Sequence, residues 1–176
     1  MNTTGIDAEP ADLRDPQLFT EVHDRHFTAV YRYVAARLGT QVAEDVAAET
    51  FLVAFDRRAT FDAGRGELRV WLFGIATNLV SRHRRKEARH YRALARLEAV
   101  PAVEGPENRV VAALGARPRL ARALSRLSPG ERDVLLLVVL GQLGYEEVAA
   151  ALDIPSGTVG SRLTRARKKL KEDLDG

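Results

Sequence analysis

Apolar residues recur along most of this chain at intervals of three or four, which is the spacing of an α-helix. The stripes that we expect to line a core are Phe27, Val30, Val34 and Leu38; Ala47, Phe51, Ala54 and Phe55; Leu68, Leu72, Ile75 and Leu79; and Val159, Leu163, Ala166 and Leu170. No convincing run of alternating apolar and polar residues predicts a strand. The pattern therefore predicts an all-α fold.

Glycine and capping residues divide the first half of the chain into helices. We predict a helix over residues 16–38, which Gly39 ends, and a second helix over residues 41–58, with Thr40 placed to cap it. A third helix is predicted over residues 67–89. The three helices together form one small domain.

A break in periodicity separates this domain from the rest of the chain. Residues 97–108 contain two prolines, one glycine and three glutamates, a composition typical of a flexible linker. The predicted organisation is an N-terminal tail over residues 1–15, a first domain over 16–96, the linker over 97–108 and a second domain over 109–176.

The second domain carries the signals of a helix-turn-helix. Residues 128–131 (SPGE) fit a capping box with proline at the first helical position, and they predict a helix that stops at Gly141. A short helix over residues 145–152 is followed by the turn 153–155 (DIP) and by a last helix from about Ser156. Two helices joined by a tight turn are typical of DNA-binding domains.

The last helix has a basic side opposite its apolar stripe. The polar residues that point outward on this side are Thr158, Ser161, Arg162, Arg165, Lys168 and Lys169. Hydroxyls and arginines near the start of such a helix can reach base edges, and later cations can contact phosphates. The competing interpretation is a solvated helix end whose cations only complement the helix dipole.

The first domain has two polar surfaces of different charge. Asp45, Glu49, Leu52 and Asp56 fall within an arc of about 60° on the side of their helix away from the core. Trp71, Asn78, Arg82 and Arg85 fall within a similar arc on one flank of the third helix. An acidic surface with one exposed leucine is ordinarily only solvated, but it also suits a basic protein partner. Trp71 is more often a core residue, but beside an amide and guanidiniums it could also support an unstacked base.

Composition narrows the function classes. The chain has 176 residues, 27 lysines and arginines against 24 acidic residues, and no cysteine, so disulfides and Cys-based zinc sites are excluded. The start of the chain has no apolar core for a signal peptide and no later window could span a bilayer, so we expect a cytoplasmic protein without membrane insertion. His23 and His26 lack carboxylate partners for a metal, and no nucleophile-base set is found. We expect no catalytic residue, no metal and no cofactor.

The motifs in both domains resemble extracytoplasmic-function sigma factors of bacterial RNA polymerase. In the second domain the residues that carry the resemblance to region 4 are 127–132 (LSPGER), 145–149 (YEEVA), 155–159 (PSGTV) and 161–167 (SRLTRAR). In the first domain those that resemble region 2 are 43–46 (AEDV), 49–51 (ETF), 61–62 (FD), 64–66 (GRG), 71–76 (WLFGIA) and Asn78. Gly160 departs from the family, which often has a basic residue there.

The resemblance implies three sets of site residues and no enzymatic activity. The residues expected to bind the −35 promoter element are Ser156, Thr158, Ser161, Arg162, Arg165, Lys168 and Lys169. Those expected to read and open the −10 element are Phe61, Asp62, Arg65, Trp71, Asn78, Arg82 and Arg85. Those expected to bind the polymerase clamp are Glu44, Asp45, Glu49, Leu52 and Asp56, while the second domain contacts the flap.

Other interpretations remain open from the residues alone. The partners implied by the resemblance are core RNA polymerase and promoter DNA, and an anti-sigma factor is a further partner that it allows. A stand-alone DNA-binding regulator would use the same helix-turn-helix but bind duplex DNA without polymerase. A helical adaptor that binds only proteins is disfavoured by the basic last helix.

Overall fold

The computed structural model describes residue 13, residues 15–97 and residues 118–175, without the side chains of residues 65, 90–97, 118, 119, 121 and 175. Within these ranges the chain is helical and contains no strand, which confirms the all-α prediction. The helices are α1 (Pro16–Leu38), α2 (Thr40–Asp56), α3 (Leu68–Leu97), α4 (Pro118–Ser125), α5 (Pro129–Val139), α6 (Tyr145–Leu152) and α7 (Ser156–Asp175), with short 3-10 turns at Arg58–Thr60 and Ala63–Arg65. The predicted linker beyond Leu97 and most of the predicted tail lie outside the described residues, so the domain boundaries stay predictions.

Local capping groups set the ends of α1, whereas the predicted cap of α2 is wrong. The Asp15 side chain accepts a hydrogen bond from the Gln17 amide at 2.9 Å and begins α1. Gly39 ends α1 with a φ of +88°, a value that favours glycine. The prediction that Thr40 caps α2 is wrong, because Thr40 is already the first helical residue and no side chain caps this helix. The turn at Gly39 is so tight that α2 begins directly after it.

Helix α3 is longer than predicted. It continues to Leu97 instead of ending near Arg89. The sequence between Arg89 and Pro101 contains neither glycine nor proline, so nothing stops the helix there.

The first domain is built from α1, α2 and α3 around the predicted apolar stripes. Phe51, Leu72 and Val34 are among the buried residues. At the centre the fully buried Tyr33 hydroxyl lies 2.9 Å from the Thr77 hydroxyl, so its polar atom is satisfied inside the core.

The second domain packs α4, α5 and α6 against α7. The Ser128 hydroxyl accepts from the Glu131 amide and the Glu131 carboxylate accepts from the Ser128 amide, which confirms the predicted capping box. Arg132 is buried and donates to the carbonyls of Leu124, Ser125 and Leu127 at 3.0, 3.0 and 3.1 Å. This guanidinium satisfies carbonyls left free at the end of α4.

The two domains are packed against each other. Arg37 Nε of α1 lies 2.8 Å from the Asp133 Oδ1 of α5, with 1% of the arginine side chain exposed. This contact is an ion pair rather than a directed hydrogen bond, since neither Nε nor Nη1 of Arg37 has a hydrogen-bond partner among the described residues. The Tyr33 hydroxyl also donates to Asp133 at 3.2 Å. A second ion pair joins Arg69 of α3 to Glu147 of α6 at 3.2 Å.

Candidate nucleic-acid and polymerase interface

A cavity of about 410 Å³ lies between α3 and α6. Four residues predicted for the −10 element line it together: Phe61, Asp62, Trp71 and Asn78. The Phe61 and Trp71 rings are 5.3 Å apart, so they form a half-buried aromatic wall. The Asn78 side chain is exposed, and its amide can both donate and accept hydrogen bonds. The cavity therefore combines an aromatic surface with a group able to read a base edge.

The loop that supplies Phe61 and Asp62 is shaped by its own hydrogen bonds. Asp62 Oδ1 accepts from the Gly64 amide at 2.9 Å and begins the second 3-10 turn. The side chain of Arg65, also predicted here, lies outside the described residues.

The predicted arginines of α3 lie on the surface away from the core. Arg82 and Arg85 are exposed. An Arg82 Nη2 atom lies 3.7 Å from Glu49 Oε1, a surface ion pair that contributes little stability. This pair places the basic flank of α3 next to the acidic side of α2.

The sequence did not predict several residues that line the cavity. Arg57 and Thr60 follow α2, and Ala150, Ala151 and Asp153 come from the second domain. Arg57 directly follows Asp56 and Thr60 directly precedes Phe61, so their places beside predicted site residues could have indicated them. Nothing in local periodicity indicates that α6 covers the site of the first domain.

The acidic side of α2 is exposed as predicted. Glu44, Asp45 and Asp56 are exposed, and Glu49 is half-exposed. Leu52 is 67% exposed, a large value for an apolar side chain among charged neighbours. The surface is therefore free to contact a partner with basic and apolar groups.

The outer side of α7 carries the residues predicted for the −35 element. Ser156 and Thr158 are half-buried in the first turn, and Ser161 is exposed while its hydroxyl donates to the Thr158 carbonyl at 3.0 Å. The Lys168 side chain is 77% exposed, with Glu172 at 3.9 Å on the next turn. These residues occupy an accessible surface.

Three other cations of α7 lie against the start of α5. The Arg162 guanidinium lies over Gly130, since a Cβ added to Gly130 would be 3.0 Å from the Cζ atom of Arg162. Arg165 Nε lies 3.9 Å from Glu131 Oε1, and Lys169 Nζ donates to both Glu131 oxygens at 3.1 and 2.8 Å. Burial raises the pKa of Glu131, but the hydrogen bonds from Lys169 and from the Ser128 amide outweigh it and hold the pKa below its usual value.

The family models match both domains in order. Residues 22–90 match sigma-70 region 2, and residues 117–170 match sigma-70, region 4. Among curated proteins, the ECF RNA polymerase sigma factor SigW of Bacillus subtilis is 31% identical, with 91% of this chain and 90% of SigW covered. The ECF RNA polymerase sigma factor SigC of Mycobacterium tuberculosis is 32% identical, with 83% and 77% covered. The matches define a two-domain promoter-recognition subunit of RNA polymerase.

Solved structures agree with this class. CnrH in complex with the cytosolic domain of CnrY has a TM-score of 0.67 and 26% identity, with 92% of this chain and 90% of CnrH covered. The RpoE sigma factor of Bartonella quintana, in complex with the anti-sigma factor NepR, has a TM-score of 0.73 over 90% of this chain and 98% of RpoE, and at 24% identity it supports the fold. This chain belongs to the extracytoplasmic-function sigma factors.

Neither a membrane-spanning helix nor a cluster of metal ligands is present in the described ranges. No helix there is long and apolar enough to cross a membrane. No group of three or more histidine, cysteine or acidic side chains is arranged to hold a metal ion there.

Proposed function

We propose that the cavity between α3 and α6 receives an unstacked base of the non-template strand at the −10 element. The observation that carries this proposal is the convergence of Phe61, Trp71 and Asn78 in one cavity. An aromatic side chain can replace the stacking that a base loses when the duplex opens. The Asn78 amide then has the donor and acceptor needed for a base edge.

The exposed arginines of α3 hold the backbone of the same strand. Arg82 and Arg85 are exposed on the flank that continues from Asn78 along α3. Guanidiniums in this position can contact phosphates without selecting a sequence. Arg65 is also proposed to contact the −10 element, and this role is supported only by the resemblance of residues 64–66 to region 2.

The second domain reads the −35 element through α7. Ser161 and Arg165 are exposed on one side of the helix, and Lys168 lies further along it. Arg165 can bond a guanine edge with two hydrogen bonds, while Lys168 suits a phosphate.

Polymerase binds the acidic side of α2. Glu44, Asp45, Glu49 and Asp56 surround the exposed Leu52, so the surface offers charge complementarity and one apolar anchor. The flap is a second contact, made by the second domain. We also propose that the chain acts in the cytoplasm, that it catalyses no reaction itself, and that an anti-sigma factor binds it, as CnrY binds CnrH.

The test is open-complex formation by the purified chain with core polymerase. Asn78→Ala should reduce permanganate reactivity of the −10 thymines about tenfold, because it removes base contacts of about 1–3 kcal/mol. Its polymerase affinity should equal that of the wild type, since Asn78 lies on the other polar surface. Equal reactivity in variant and wild type would remove Asn78 from the site.

A matched variant changes the other surface of the same domain. Reversing the charge at Asp45 and Glu49 together should weaken polymerase binding at least about tenfold without loss of helicity, because both side chains lie outside the core. Unchanged polymerase affinity would exclude this surface as the docking site. A gel shift of duplex promoter DNA with the chain alone tests the alternative function. A stand-alone regulator would bind this DNA without polymerase.

A further inference from the structure

Two adjacent lysines of α7 have different surroundings. Lys168 Nζ is 3.9 Å from Glu172 on its own helix, and its side chain is 77% exposed. Lys169 Nζ is 2.8 Å from Oε2 of Glu131 on another helix, and its side chain is 42% exposed. The sequence predicts the same role for both residues, contact with phosphate, but the structure distinguishes them.

Glu131 is a buried carboxylate that also caps a helix. Its side chain is 6% exposed, and Oε2 accepts from the Ser128 amide at 2.9 Å to complete the cap of α5. A buried carboxylate without a cation is costly, and removal of one partner of such a pair leaves the other charge uncompensated. Lys169 supplies that cation with hydrogen bonds to both oxygens.

Arg165 is the next cation available to this carboxylate. Its Nε is 3.9 Å from Glu131 Oε1, too far for a hydrogen bond, and its side chain is 61% exposed. It lies one turn before Lys169 on the same side of α7. A small change of rotamer would bring its guanidinium onto Glu131 and away from DNA.

We propose that Lys169 is a positioning residue, which neutralises Glu131 and thereby leaves Arg165 free to reach a base. The inference rests on the proposed role of α7 in −35 recognition. Under this proposal Arg165 selects the DNA sequence, and the pair of Glu131 and Lys169 controls the position of the Arg165 side chain. Lys169 then adds no phosphate contact, because its ammonium is engaged by the carboxylate.

The experiment measures affinity of the holoenzyme for two duplexes across a salt series. The matched duplex is enriched from a random-sequence pool by the wild-type holoenzyme, and the control duplex is its scrambled form; neither contains a −10 element. The ratio of the two affinities reports base reading, and the slope of log affinity against log salt reports the number of phosphate contacts.

Lys169→Gln and Lys168→Gln are the matched pair of variants. We expect Lys169→Gln to lower the affinity ratio about tenfold, because Glu131 recruits Arg165, while the salt slope on scrambled DNA stays unchanged. We expect Lys168→Gln to reduce the magnitude of the slope by about 0.9 and to leave the ratio unchanged. A lysine that only contacts phosphate would show the second pattern at both positions.

Rescue by a second substitution distinguishes positioning from general damage. Glu131→Gln keeps an acceptor for the Ser128 amide but removes the charge that attracts Arg165. The double variant Glu131→Gln, Lys169→Gln should therefore recover most of the affinity ratio that Lys169→Gln alone loses. Glu131→Gln alone should preserve the ratio and steepen the slope by about 0.9, because it releases Lys169 to the DNA.

Three results would overturn the inference. One is a smaller slope with an intact ratio for Lys169→Gln, which makes Lys169 a phosphate contact. Another is failure of the double variant to recover the affinity ratio. The third is an unchanged salt slope for Glu131→Gln, and this test remains valid even if Lys169→Gln does not fold. A wild-type holoenzyme that enriches no sequence contradicts the proposed function itself, and the inference fails with it.

Discussion

The two proposed DNA sites of this sigma factor differ in how they are built. The −10 site is a cavity whose walls come from both domains, with Trp71 on α3 opposite residues such as Ala151 on α6. The −35 site is the open side of α7, and the groups that adjust it, Glu131 and Lys169, belong to the same domain. The first site therefore depends on how the domains are packed, whereas the second depends on one local ion pair.

The two sites should therefore respond differently to a change in how the domains are packed. In the arrangement described here Ala150, Ala151 and Asp153 of the second domain help to line the cavity, so a change in how the domains are packed would alter the −10 site. The outer side of α7 does not depend on that packing, because Glu131, which contacts its cations, belongs to the same domain. Variants that act on the domain contact should consequently change one site and leave the other intact.

The largest effect is expected at the contact between the domains. Asp133→Ala leaves Arg37 buried without its ion-pair partner, which should cost about 3–5 kcal/mol or drive the domains apart. Denaturant unfolding of the full chain measures the first outcome, and small-angle scattering measures the second. Arg126→Ala is the control, since its partner Asp173 lies in the same domain and the arginine is 62% exposed. Equal stability and shape for Asp133→Ala and wild type would show that this pair does not hold the domains.

A smaller effect is expected at Glu131 and depends on pH. The folded-state pKa lies below the unfolded value of about 4.5, so the stabilisation is present above that value and is lost as pH falls through the folded pKa. Urea unfolding of wild type and Glu131→Gln should show the wild type more stable at about pH 7. The gap should narrow as pH falls below about 4.5 and through the folded-state pKa, and a gap independent of pH would contradict the charged pair.

The smallest effect compares one substitution at two helical glycines. At Gly160 on the open side of α7 an added Cβ meets nothing within 4 Å, so Gly160→Ala should stabilise the chain by up to about 1 kcal/mol. At Gly74 on α3 the Cβ would lie 3.2 Å from the Ala151 carbonyl oxygen of α6. The stabilisation from Gly74→Ala should therefore be smaller by about 1 kcal/mol, because the contact between the domains opposes the gain in helix propensity. Thermal unfolding of the two variants checks the difference, and equal gains would mean that α3 and α6 are not in close contact.

Local patterns predicted the helices well because each rests on a short-range signal. The stripe of Phe51 and its neighbours, the capping box at Ser128 and the stop at Gly39 all act within a few residues. That Trp71 and Asn78 lie on the same side of α3 was predicted for the same reason, since they are two turns apart on one helix. The Thr40 prediction failed because a capping residue and a first helical residue look alike in sequence.

Contacts between distant residues could not be predicted in this way. Arg37 would be expected on a surface, and its burial against Asp133 depends on how two separate domains meet. Lys169 has the same local sequence context as Lys168, and only the fold of α5 onto α7 gives it a different partner.

The shared cavity has a consequence for the order of promoter contacts. Because residues of both domains line the cavity, binding of the melted strand there and the packing of the domains are linked equilibria. Upstream duplex that changes the position of the second domain would change the affinity of the cavity for the melted strand, and by reciprocity the melted strand would change the affinity for upstream duplex by the same factor. If the packing that completes the cavity were present in only about 1% of the free chain, the apparent affinity for single-stranded DNA would be about a hundredfold weaker than that of the completed cavity.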